Sequence, residues 1–153
     1  MQTQINVAQA FGMVGEMYDL TPRRVDAKEV ADAVSIGGVA GANPTDGTIG
    51  PMNEETYSKF VGIFVRPKEM INYGGSKPLD ASLDVPAGCT VQVASMGRIK
   101  VAIPAGETWV AETDVYVTAA GALTNVSTSN TKIGSIVVGG AAGEVGAIEI
   151  GCC

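Results

Sequence analysis

Histidine is absent from all 153 residues. With it go the commonest general base, the commonest metal ligand and the usual pH switch near neutrality. Aromatic residues make up only 5% of the chain, with one Trp and four Tyr, so material for exposed aromatic ligand platforms is scarce. Charge is sparse and tilts acidic, 10 Lys and Arg against 16 Asp and Glu for a formal net charge of −6. Such a chain lacks the positive field that gathers phosphates, which argues against nucleic acid as a partner. No apolar run approaches the length of a membrane span, so no membrane partner is expected. The opening Met-Gln-Thr-Gln-Ile-Asn has no basic stretch followed by an apolar one, which predicts synthesis and retention in a cytoplasm.

The three cysteines, Cys89, Cys152 and Cys153, form neither a disulfide framework nor a zinc pattern. Adjacent Cys152 and Cys153 are badly placed for a mutual disulfide, because successive side chains point apart in extended chain. Reduced thiols on a C-terminal tail at 152–153 are the expectation, with an intersubunit crosslink as the alternative.

Catalytic constellations are also missing. There is no GxxxxGK phosphate loop, since residues 37–41 (GGVAG) lack the lysine. No GxSxG elbow occurs. Glu54 and Glu55 are neighbours whose carboxylates would not converge, and Glu69, Asp80 and Asp84 lack calcium-loop spacing. Asn125-Val-Ser127 matches a glycosylation sequon, which a cytoplasmic chain would not use. Trp109 reads as a core or barrel-closing residue rather than a ligand platform. No catalytic residue, cofactor or metal is expected.

What the chain does have is glycine, 20 of 153, and short β-branched runs between turns. Its length suits one domain with an ordinary core, burying roughly 68–70% of its unfolded surface. The last third carries the pattern best: 115–118 (VYVT), 132–138 (KIGSIVV) and 147–150 (AIEI), separated by Gly, Ala, Ser and Asn, predict a β-meander. Residues 59–65 (KFVGIFV), closed by Arg66-Pro67, form the strongest single strand. Residues 90–93 and 98–103 alternate across Ala94-Ser-Met-Gly97 and predict a hairpin, with Ile99, Val101 and Ile103 on one face and Arg98 and Lys100 on the other. Residues 25–32 suit a helical turn or two, 33–37 a strand, and 38–51 a long loop rich in turn signals.

The first 24 residues differ from the rest. Phe11-Gly-Met13-Val14-Gly-Glu-Met17-Tyr18 holds two of the six methionines, adaptable side chains suited to apolar docking, and Pro22 ends any regular element. Two readings stand side by side: a first strand packed on the body, or an extended arm lying on a partner. Arg23 and Arg24 follow, read as solvated surface or as an ion pair to a neighbour's acidic patch.

Taken together, 115–117, Ala119-Ala-Gly121, Gly121-Ala-Leu-Thr124, Ile133-Gly-Ser-Ile-Val137, the Gly-Glu turn at 141–145 and the strand 148–150 resemble the end of the capsid cement (decoration) proteins of tailed bacteriophages. The 60–65 run and Pro22-Arg23-Arg24 are similar to earlier family positions. The resemblance implies a mainly β fold, a small β-barrel or β-sandwich over 25–151 with an N-terminal arm over 1–24. It implies a structural virion protein that binds the outside of an expanded icosahedral head and clamps neighbouring major capsid subunits. Its partners would be the major capsid protein and further copies of itself, as a trimer in preference to a dimer. Candidate contact residues are Phe11, Met13, Val14, Met17, Tyr18, Arg23 and Arg24. In this scheme residues 5–20 and 38–52 reach neighbours while 90–150 form the rigid body. The rival readings are a receptor- or glycan-binding module of a fibre or baseplate and, last, a histidine-free enzyme.

Overall fold

The computed structural model describes residues 12–19, 21–66 and 84–151. These hold eleven strands and no helix: β1 (Arg24–Glu29), β2 (Val34–Ser35), β3 (Val39–Ala42), β4 (Ile49–Pro51), β5 (Lys59–Val65), β6 (Asp84–Val85), β7 (Thr90–Ala102), β8 (Asp114–Val117), β9 (Leu123–Thr124), β10 (Thr131–Val138) and β11 (Val145–Ile150). Nine of them make one curled sheet, ordered β4-β3-β5-β7-β11-β10-β8-β9, with β1 also paired to β7. The short β2-β6 pair stands apart. Every strand pairing is antiparallel.

The molecule is organised around the 13 residues of β7. Its first half pairs with β1 and β5, its second half with β11. The expected hairpin at 94–97 is therefore corrected: the chain runs straight through. Partners for the two halves come from different strands, so no turn is needed to satisfy the backbone. Met96 pairs with Arg24 and Ala94 with Val25, leaving Ser95 as the extra residue of a β-bulge. The bulge shifts the side-chain alternation by one. Val91 and Val93 face one buried cluster with Val30, Val34, Ile36, Ala40, Phe64 and Val85. Ala94, Ile99 and Val101 face the other, with Ile63, Val65, Val115, Val117, Ile136, Ile148 and Ile150. One strand thus serves two cores. Gly97, at φ 128° with the Met17 and Arg23 side chains packed over it, occupies a conformation that a Cβ would strain.

Two further expectations change. Residues 24–29 are a strand rather than a helical turn, because each pairs with a residue of β7 and the β7 backbone takes up their polar groups. Residues 38–51 are a hairpin, β3 to β4, rather than a loop. Gly41 pairs with Gly50, and the buried Tyr57 lies against both, a fit that larger side chains would block. Asn43 and Asp46 cap the connection, accepting from the Thr45 and Thr48 amides at 2.8 and 3.0 Å. Of the strand expected at 33–37, only Val34–Ser35 forms.

The curl brings distant parts of the sheet together. Val30 bridges Ile49 of β4, and the backbone of Met52, just past β4, packs closely on Gly121, just before β9. Trp109 is buried and bridges Gly140. The meander of β8, β10 and β11 stands as expected.

Candidate functional site

Residues 12–19 form a strap laid against β7 and the end of β5. Gly15 donates its N–H to the Lys100 carbonyl at 2.8 Å, and its own carbonyl accepts from the Arg66 N–H at 2.8 Å. The Lys100 N–H donates to the Glu16 carbonyl and the Tyr18 N–H to the Arg98 carbonyl, both at 2.8 Å. Met17 bridges Ile99. Gly15, at φ 84° and pressed on Ile36, is what lets the backbone approach so closely.

Side chains reinforce the backbone. Lys100 Nζ lies 3.1 Å from Glu16 Oε2. Arg98 donates to Glu149 at 2.6 Å and to Asp19 at 3.1 Å, joining the strap to β7 and β11. Arg66 Nε donates to the Val14 carbonyl at 3.0 Å. The Met13 amide holds the Glu16 carboxyl below its ordinary value, with Lys100 and Arg66 adding to this against the opposing effect of burial. Asp19 is lowered chiefly by the Thr21 hydroxyl, with the Thr21 amide and Arg98 also contributing. A second carboxylate hub lies elsewhere: Glu107 accepts from Thr124 Oγ1 at 2.6 Å, Trp109 Nε1 at 2.8 Å and the Asn125 amide at 3.0 Å. Burial pushes its pKa up, but these hydrogen bonds outweigh burial and leave it lowered.

The structure brings several of the sequence-derived contact residues together. Met13, Val14, Met17 and Tyr18 all lie half-buried on the strap. Met17 and Arg23 line a cleft of about 270 Å³ with Val25, Val65, Arg66 and Gln92. Arg23 is exposed there, while Arg24 points elsewhere with its Nε 3.6 Å from Asp26. Phe11 lies outside the described residues, as do Cys152 and Cys153. Missed by sequence reasoning were Glu16, Asp19, Arg66, Arg98, Lys100 and Glu149. The one available signal was the polar face of Arg98 and Lys100, whose partners sit some 50 to 84 positions away.

Among the described residues no group of three or more His, Cys, Asp and Glu could hold a metal. No buried side-chain nitrogen or oxygen among them lacks a hydrogen-bond partner. Among the described residues no helix is long and apolar enough to cross a membrane.

Comparison with known proteins supplies the rest. No curated protein matches the chain. A solved chain described as the capsid of Myoviridae phage XM1 has the same fold, with a TM-score of 0.63 at 15% identity, covering 99% of this chain and 98% of that one. The family model described as structural cement protein (E217 gp24/Pam3 gp6) matches residues 1–151. With that match running over nearly its whole length, the chain belongs to the phage structural cement protein family.

Proposed function

We propose that this protein binds the outer surface of an expanded icosahedral phage head and clamps neighbouring major capsid subunits together, without catalysing a reaction. The family match over residues 1–151 carries this reading. The design of the strap supports it physically. A clamp must pass tension from its contact residues into a rigid body, and residues 12–19 are joined to β7 and β5 by backbone hydrogen bonds and ion pairs together. The contact surface is built from Phe11, Met13, Val14, Met17, Tyr18, Arg23 and Arg24, helped by the β3–β4 hairpin, and the unit is a trimer. Several modest contacts across a capsomer seam gain affinity through effective concentration. Binding only the expanded lattice would stabilise that lattice by linkage. A net charge of −6 suits the outer surface better than the DNA side. The glycan-binding alternative loses its one tryptophan platform, since Trp109 is buried with its N–H held by Glu107.

Co-sedimentation with expanded heads and with unexpanded proheads, both made without this protein, tests the reading. Saturable binding to expanded heads at a fixed ratio to the major capsid protein is expected. Binding to neither shell overturns it. Deleting residues 1–11 leaves the strap in place and tests the segment before it separately: full decoration by the shortened protein would show that residues 1–11 are dispensable.

A further inference from the structure

The two cores are filled without the strap. Their buried hydrophobic residues begin at Val30, and none comes from 12–19. Met17, itself only partly buried, packs against the larger cluster. Gly15 is buried but has no side chain. Backbone hydrogen bonding and charge therefore hold the strap alongside the half-buried Met13, Val14, Met17 and Tyr18. An element held by apolar burial is tightened or unaffected by salt, whereas one held by half-exposed ion pairs is loosened by salt and by protonation of its carboxylates.

The charges are arranged so that one side of every pair is a carboxylate. Glu16 faces Lys100 of β7 at 3.1 Å and lies within the field of Arg66 at the end of β5. Asp19 faces Arg98 of β7 at 3.1 Å, and Arg98 is shared with Glu149 of β11 at 2.6 Å. Arg23 packs beside Met17 over Gly97 and adds positive charge beyond the C-terminal end of the strap. Protonating Glu16 and Asp19 would remove the strap's own carboxylates from Lys100 and Arg98, while Glu149 of β11 stays with Arg98. Thr21, Pro22 and Arg23, just before β1, belong to no strand, so the strap can leave without unravelling β1.

We propose that residues 12–19 are a charge-latched strap that acid or high salt releases from β7 and β5 while both cores stay folded. Release would free the four backbone groups of Arg66, Arg98 and Lys100 that the strap now covers. Docking is full above the ordinary carboxylate range and lost as pH falls through the lowered values, because the free strap binds protons more readily than the docked one. With two carboxylates acting together, the docking equilibrium falls most steeply between the ordinary and the lowered values, where the free strap holds more protons, and levels off below them.

Hydrogen exchange on the isolated full-length protein reads this directly. The Gly15 and Tyr18 amides report the strap, and the Lys100 and Arg66 amides report its seat. In a Glu16→Gln, Asp19→Asn double variant at pH 7, protection at these four amides should fall by about tenfold or more, while the β10–β11 amides keep theirs. Wild-type protein taken from pH 6 to pH 3.5, or to 1 M NaCl, should show the same selective loss. The proposal is overturned if the four amides keep their protection in the double variant and in acid. It is equally overturned if they lose protection only when β10 and β11 do.

Discussion

Glu16 and Lys100 are joined twice: the Lys100 N–H donates to the Glu16 carbonyl at 2.8 Å, and Lys100 Nζ reaches Glu16 Oε2 at 3.1 Å. Backbone and side chain of the same two residues, 84 positions apart, therefore fix one register. A one-residue slip of the strap would break both contacts and turn Met17 away from Ile99.

The Trp109 indole depends on Glu107. Replacing Glu107 by Ala leaves a buried N–H and the Thr124 hydroxyl without their acceptor, at a cost of about 1–3 kcal/mol. For a domain of this size the melting temperature should fall by about 2–10 °C. Thermal melts followed by tryptophan fluorescence check it, and an unchanged midpoint would mean that water replaces the carboxylate without loss.

Stability should be nearly flat from pH 5 to 8, because no histidine titrates there. Glu16 and Glu107 titrate below their ordinary value of 4.5 in the fold, and Asp19 and Asp114 below 3.8. Their contribution is present above those ordinary values and drains away as pH falls through the lowered ones. Urea midpoints measured from pH 8 down to pH 3 should hold level and then drop below about pH 4.5. A steady decline starting above pH 6 would contradict this account.

Gly97 and Gly47 both have positive φ, but only Gly97 is crowded. An added Cβ at Gly97 would sit 2.9 Å from Met17 Cε and 3.1 Å from Arg23 Cβ, whereas Gly47 has open space around it. Gly97→Ala should cost about 1–3 kcal/mol and Gly47→Ala about 1 kcal/mol. Equal losses in chemical denaturation would show that backbone strain alone decides both.

Ile99 and Ile148 lie opposite each other across β7 and β11, and both are fully buried. Either truncation to Ala should cost about 2–5 kcal/mol. The double variant should depart from additivity by about 0.5–3 kcal/mol, since both side chains border the same space. Simple additivity would indicate that each cavity collapses independently.

Much of the body could be read from local pattern. The strands at 59–65, 114–117, 131–138 and 145–150 announce themselves because alternating β-branched residues meet glycine-rich turns within a few positions. The two-sided character of 98–103 was equally visible. Local signals misled wherever a partner strand decided the outcome. Ala94-Ser-Met-Gly97 reads as a turn, yet β1 holds it as a bulged strand. The glycines of 38–51 read as loop, yet Tyr57 needs them to cover a hairpin.

The sequence by itself determined the class of this protein. Its lack of histidine removes the commonest catalytic base, and its short strands between small-residue turns demand a β core, since these are properties of composition and near neighbours. The tertiary structure alone decided that β7 serves two cores, that Ser95 is the bulge reversing its faces, and that residues 12–19 are clamped against Lys100 and Arg98. Those outcomes depend on which distant strands compete for the same backbone groups and on where opposite charges meet, and no local spacing carries that information.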